Sequence, residues 1–143
     1  MERSLSSYPV VKCTPMIAPP SITIVSYGGI ASDVFDNLLD IFIETEQLPE
    51  LIVLSKISPL DLQSVFISVK NTRKLIVIEE GGLEFGIGSE IISSVVENLG
   101  TNNIDLAQRI GALSVPIPSS KTLEENVLPN KSIIKKIKEK LIK

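Results

Sequence analysis

Short apolar runs alternate along this chain with longer stretches in which apolar residues recur at helical spacing. Ser21 to Tyr27 holds Ile22, Thr23, Ile24 and Val25 in a nearly continuous β-forming run, the pattern of a strand buried on both faces. Gly28-Gly29 ends it. From Ile30 to about Glu46, Val34, Leu38, Leu39, Ile41 and Phe42 recur with helical period while Asp33, Asp36, Asp40 and Glu44 take the other face, which predicts one amphipathic helix. Glu50 to Leu54 predicts a second buried strand. Ser58 then stands as an N-cap before Pro59 at a first helical position, predicting a helix to about Asn71, with Asp61 favourable in its first turn. Lys74 to Glu79 predicts strand three, Phe85 to Asn98 a helix, and Ile104 to Ile110 a fourth strand. Val115-Pro116-Ile117-Pro118 cannot be helical. Lys131 to Lys143 places Ile and Leu at 133, 134, 137, 141 and 142 among Lys135, Lys136, Lys138, Lys140 and Lys143, an amphipathic helix whose positive end complements its own dipole.

Strands alternating with helices imply right-handed crossovers and a mainly parallel sheet covered on both faces, a three-layer α/β/α sandwich. Pro9, Pro15, Pro19 and Pro20 break up residues 1–20 into an irregular lead-in, where Val10 to Ile17 supplies at most a short edge strand. Residues 21–143 form the domain proper.

Composition narrows the function. A chain of 143 residues with 43% hydrophobic and 22% charged residues fits one globular domain, and its apolar stretches are too short and interrupted to cross a bilayer. Met1 to Ser7 is short and polar, without the basic start and long apolar core of a secretory signal. The single Cys13 has no Cys or His neighbours for a disulfide or a metal site and reads as a plain thiol, so a reducing compartment is expected: cytoplasmic, or the mitochondrial matrix or plastid of a eukaryote. Fourteen basic against 17 acidic residues give a net charge of −3, which predicts neither a nucleic-acid nor a membrane partner. There is no histidine, the usual general base near neutral pH.

The segment Glu79-Glu80-Gly81-Gly82-Leu83-Glu84-Phe85-Gly86-Ile87-Gly88-Ser89-Glu90 stands between an apolar strand and an apolar helix. Its glycines suit positive φ or close approach, and a helix start presents unpaired N–H groups that attract anions. Glu79, Glu80, Glu84 and Glu90 argue against a phosphate there, and the spacing matches neither a dinucleotide fingerprint nor a P-loop. Gly81, Gly82, Phe85, Gly86 and Gly88 are therefore expected to form a structural turn or domain contact. Glu79 and Glu80, adjacent at a strand end, point to opposite faces and are not expected to act as an acid–base pair. Arg109, in a buried-type strand, needs a carboxylate or carbonyl partner and reads as a structural ion pair or an interface arginine.

Several pieces resemble, in the same order, the C-terminal domain of the pyruvate dehydrogenase beta subunit, within the transketolase-like family of thiamine diphosphate enzymes. They are Ile22-Thr23-Ile24-Val25-Ser26-Tyr27-Gly28, Ile57-Ser58-Pro59-Leu60-Asp61, the glycine segment, Arg109, Val115-Pro116-Ile117-Pro118 and Leu123-Glu124-Glu125-Asn126-Val127-Leu128-Pro129. Leu83 stands where the family usually has tryptophan, and Ala112-Leu113-Ser114 where it usually has Gly-x-Asp. The resemblance implies a mixed, mainly parallel five-stranded sheet with one antiparallel edge strand. It also implies that thiamine diphosphate and magnesium belong to other domains of a parent 2-oxo acid dehydrogenase, leaving this chain without catalytic, cofactor-binding or metal residues. The implied role is a noncatalytic assembly and docking domain in a homo- or hetero-oligomer, contacting the other domains, an alpha subunit and the acyltransferase core. Asp105, Ile142 and Lys143 are the implied docking residues. The alternative is a standalone small α/β protein that binds an anionic ligand at the Gly81 to Gly88 turn.

Overall fold

The computed structural model describes residues 2–3, 8–116, 118–120, 123–124, 127–129 and 132–141. In chain order the elements are β1 (Glu2–Arg3), β2 (Val11–Cys13), β3 (Ile22–Ser26), α1 (Ile30–Asp36), α2 (Leu38–Thr45), β4 (Pro49–Val53), α3 (Gln63–Thr72), β5 (Lys74–Gly82), α4 (Ile87–Leu99), β6 (Leu106–Ala112) and α5 (Ile133–Leu141). The strand order is β1-β2-β4-β3-β5-β6. The last four run parallel, β2 lies antiparallel to β4, and the two-residue β1 pairs antiparallel with β2. Without that outermost ribbon the sheet is the expected five-stranded mixed one, with the Val10 to Ile17 segment supplying the antiparallel strand.

Alternation along each strand divides the core in two. Ile24, Leu51, Ile76, Ile78 and Ile110 meet Ile30, Val34, Leu38, Ile41, Ile133 and Ile137 of α1, α2 and α5. On the other face Val25, Ile52, Leu75 and Val77 meet Val65 and Val69 of α3 and Ile91 and Val95 of α4. Most of these side chains are wholly buried, each contributing about 1.5–3 kcal/mol over its exposed state. One polar cluster sits in this second layer: Thr23 Oγ1 lies 2.7 Å from both Ser68 Oγ and Thr72 Oγ1, fixing α3 against β3.

Three boundaries differ from the sequence expectation for a local reason. The single helix over 30–46 is two helices, because Asn37 leaves the helical region (φ −104°, ψ 10°) and its side-chain amide donates to the Asp33 carbonyl at 2.7 Å. Leu39, assigned to the buried face, is exposed. Pro59 does not open α3: it follows a cis peptide in a turn bridged by Ile57 and Leu60, and the helix starts at Gln63, whose N–H donates to the Asp61 carboxylate at 3.2 Å. Strand three does not end at Glu79 but runs on through Gly81-Gly82, across a register shift that pairs Gly82 with Ala112. The terminal helix is described as α5; Lys131, Ile142 and Lys143 lie outside the described residues, as do Ile117, Glu125 and Asn126.

Candidate functional site

The C-terminal end of β5 separates two carboxylates onto the two faces of the sheet. Glu79 is fully buried against the start of α4, where its Oε2 accepts the Gly88 N–H at 3.2 Å and the Tyr27 hydroxyl at 3.2 Å. Glu80 turns to the opposite face and its Oε1 accepts the Ile30 N–H at 2.8 Å, at the start of α1. Each helix N-terminus that would attract an anion is thus met by the chain's own carboxylate. Burial, reinforced by Glu79, pushes the Tyr27 hydroxyl up to about 12. Glu79 Oε1 has no hydrogen-bond partner among the described residues.

Glycines make room for these carboxylates. A Cβ at Gly88 would lie 2.6 Å from Glu79 Oε1, one at Gly86 2.7 Å from both Glu79 oxygens and 2.6 Å from the Gly82 carbonyl, and one at Gly29 2.8 Å from Glu80 Oε1. Gly81 and Gly82 face open space, so the close approach assigned to all four glycines of the turn belongs to Gly86 and Gly88. Arg109 closes the arrangement from β6: its NH1 donates to the Leu83 carbonyl at 2.6 Å and to the Ser89 hydroxyl. Among the described residues its hydrogen-bond partners are a carbonyl and a hydroxyl rather than the carboxylate of an ion pair. Phe85, between these anchors, adopts φ +55° and is fully exposed, a conformation that costs a bulky residue about 1–3 kcal/mol.

Asp105 lies at the other end of the sheet, where β6 begins. Arg73 grips it with two hydrogen bonds, Nε to Oδ2 at 3.0 Å and NH2 to Oδ1 at 2.8 Å, and the same NH2 donates to the Asn102 carbonyl. Those bonds hold the Asp105 carboxyl below its usual value. The structure therefore brings Gly86, Gly88, Phe85 and Arg109 together and leaves Asp105 apart from them; Ile142 and Lys143 lie outside the described residues. Sequence reasoning missed Tyr27, Gly29 and Ser89. For Gly29 a signal was present: Gly28-Gly29 stands directly before α1, as glycines also mark the start of α4 at Gly86 and Gly88.

Two further surfaces are apolar. Phe35, Leu39 and Ile43 expose a stripe at four-residue spacing along α1 and α2, and Phe35 and Leu39 share a groove with Met16 and Ile17. Among the described residues no group of three or more His, Cys, Asp or Glu could hold a metal, and no helix is long and apolar enough to cross a membrane.

Comparison with known proteins agrees with this geometry. The family profile described as "Transketolase, C-terminal domain" matches residues 18–134. The mitochondrial pyruvate dehydrogenase E1 component subunit beta is 38% identical over 94 residues in Rattus norvegicus and 37% in Homo sapiens and Saccharomyces cerevisiae. In each case the match covers 64% of this chain and 26% of the relative, so the chain matches about a quarter of the length of those proteins. A solved structure titled "Split gene transketolase, inactive beta4 tetramer" superposes with a TM-score of 0.71 at 17% identity, covering 92% of this chain and 42% of that one; at that identity it shows the shared fold.

Proposed function

The chain belongs to the transketolase C-terminal domain family, and from that premise we propose that it is a noncatalytic assembly domain of a pyruvate dehydrogenase beta-like subunit. The observation that carries this reading is that both helix starts at the C-terminal end of β5 already hold the chain's own carboxylates, Glu79 and Glu80. A phosphate at the glycine turn would have to displace a buried carboxylate that the glycines are shaped to admit. In this reading thiamine diphosphate and magnesium bind elsewhere in the parent enzyme, and this domain joins the remaining domains, an alpha subunit and the acyltransferase core. Exposed Phe85 and the Phe35, Leu39, Ile43 stripe support contact surfaces of that kind. The structural relative is a beta4 tetramer, which also supports an oligomer. The compartment follows the parent enzyme: cytoplasmic, or the matrix or plastid in a eukaryote.

Docking to a basic subunit-binding domain through Asp105, Ile142 and Lys143 is the finer part of the proposal. Asp105 is half-exposed and can exchange Arg73 for a partner's cation without being uncovered. Size exclusion of the chain mixed with an acyltransferase subunit-binding domain is expected to give a complex that Asp105→Ala weakens; no complex overturns the docking role. Calorimetry with thiamine diphosphate and magnesium is expected to give no binding heat, and micromolar affinity overturns the noncatalytic reading.

A further inference from the structure

Met16, Ile17, Phe35 and Leu39 line one groove of about 690 Å³ together with the buried Cys13 and Leu38, and the exposed Ile43 continues the stripe one helical turn on. Met16 is fully exposed, yet the segment that carries it has a fixed shape. The Ile17 N–H donates to the Pro15 carbonyl at 2.8 Å, closing a tight turn. An apolar wall already held by its own turn loses little freedom when something binds to it. The rim of the groove has one sign. Asp36, Asp40 and Glu44 each follow Phe35, Leu39 and Ile43 by one position, so an acidic row runs beside the apolar one at the same four-residue spacing, and Asp36 lines the groove itself. Glu44 already has its cation: Lys138 of the lysine-rich, amphipathic α5 donates to its Oε2 at 3.1 Å. Asp36 and Asp40 are exposed and have no ion-pair partner among the described residues.

We propose that this groove docks an amphipathic helix of a different polypeptide, one with apolar residues at i, i+4 and i+7 and with lysine or arginine along one flank. Its apolar face covers Phe35, Leu39 and Ile43 and rests on one side against Met16 and Ile17. Its basic flank meets Asp36 and Asp40, as α5 meets Glu44. Met16, unbranched and polarizable, adapts to whichever side chains the partner brings. A second copy of this chain does not fit, because it brings another acidic row to a surface that lacks cations. An anionic membrane is repelled for the same reason. The proposal deepens the assembly reading by giving a chemistry to the partner of one contact surface, and rests on that reading only there; Asp105 takes no part in it.

The test uses the full chain and a labelled peptide of about 18 residues, long enough to hold a helix, with leucine on the apolar face and lysine along one flank. Fluorescence anisotropy is expected to show saturable binding, at least about tenfold tighter than for a peptide of the same composition with the leucine and lysine positions scrambled. Leu39→Gln, at an exposed position, is expected to weaken binding about tenfold with unchanged circular dichroism. The double substitution Asp36→Asn, Asp40→Asn is expected to weaken it about threefold at low salt and to flatten its salt dependence. Absence of saturable binding, equal binding of the scrambled peptide, or binding that survives a folded Leu39→Gln overturns the proposal. If Leu39→Gln does not fold, the carboxylate pair decides, and an unchanged affinity and salt dependence overturns it. Recruitment of the chain to phosphatidylserine vesicles, lost in Leu39→Gln, assigns the groove to a membrane and overturns it too. Asp105→Ala is expected to leave peptide binding unchanged while weakening the acyltransferase complex, so the two docking readings fail separately.

Discussion

Glu79 shows how one buried carboxylate can dictate its neighbours. With its side chain wholly buried, the nearest backbone must shrink to glycine, and Gly86 and Gly88 do so. Gly88→Ala is expected to destabilise the domain by about 1–3 kcal/mol in urea unfolding, the usual cost of overpacking a tight site. The double substitution Gly88→Ala, Glu79→Ala should lose less than the sum of the two single changes, because the clash disappears with the carboxylate; additive losses would show that the two do not meet. Tyr27 carries the pH signature. Its folded pKa is raised from 10.0 to about 12, so its contribution is intact below 10.0 and is lost as pH rises toward about 12. Tyr27→Phe is expected to remove that part of the alkaline loss of stability, measured by thermal melts across the same interval. An unchanged alkaline profile would detach Tyr27 from Glu79.

At the scale of elements, the Arg73–Asp105 pair ties the C-terminus of α3 to the start of β6. Asp105 has a lowered pKa, held down chiefly by the hydrogen bonds from Arg73. Its contribution is therefore present above the ordinary carboxylate pKa and is lost as pH falls through the depressed value. Asp105→Asn should flatten the acid side of the stability profile slightly and leave neutral stability nearly unchanged, as befits an exposed pair. The strands and helices themselves were legible because their apolar periods are strong. Boundaries failed where a side chain outbid the period: Asn37 split one helix by taking the Asp33 carbonyl, and Asp61 rather than Pro59 set where α3 begins. The reach of β5 through Gly81-Gly82 was invisible, because its pairing with Ala112 depends on a shifted register far along the chain.

Across the whole molecule, the sandwich and its family could be read from ordered motifs, whereas the role of the glycine turn needed three dimensions. Sequence alone placed Glu79 and Glu80 on opposite faces but not the helix start that each would meet, and it left Arg109 undecided between ion pair and interface. The stripe of Phe35, Leu39 and Ile43 escaped because Leu39 had been counted with the buried face of Val34, Leu38 and Ile41, whereas it is exposed. Ile43→Lys is expected to change stability by no more than about 0.5 kcal/mol, since the side chain is 70% exposed, while reducing any association through that face. A loss of several kcal/mol in the isolated chain would mean that Ile43 is packed rather than presented. Glu79 and Glu80 share one peptide bond, and each grips the first turn of a helix in a different layer. One peptide unit at the sheet's end therefore carries a hydrogen bond into each helix layer, so a substitution at residue 79 or 80 unties the start of one helix and leaves the other held.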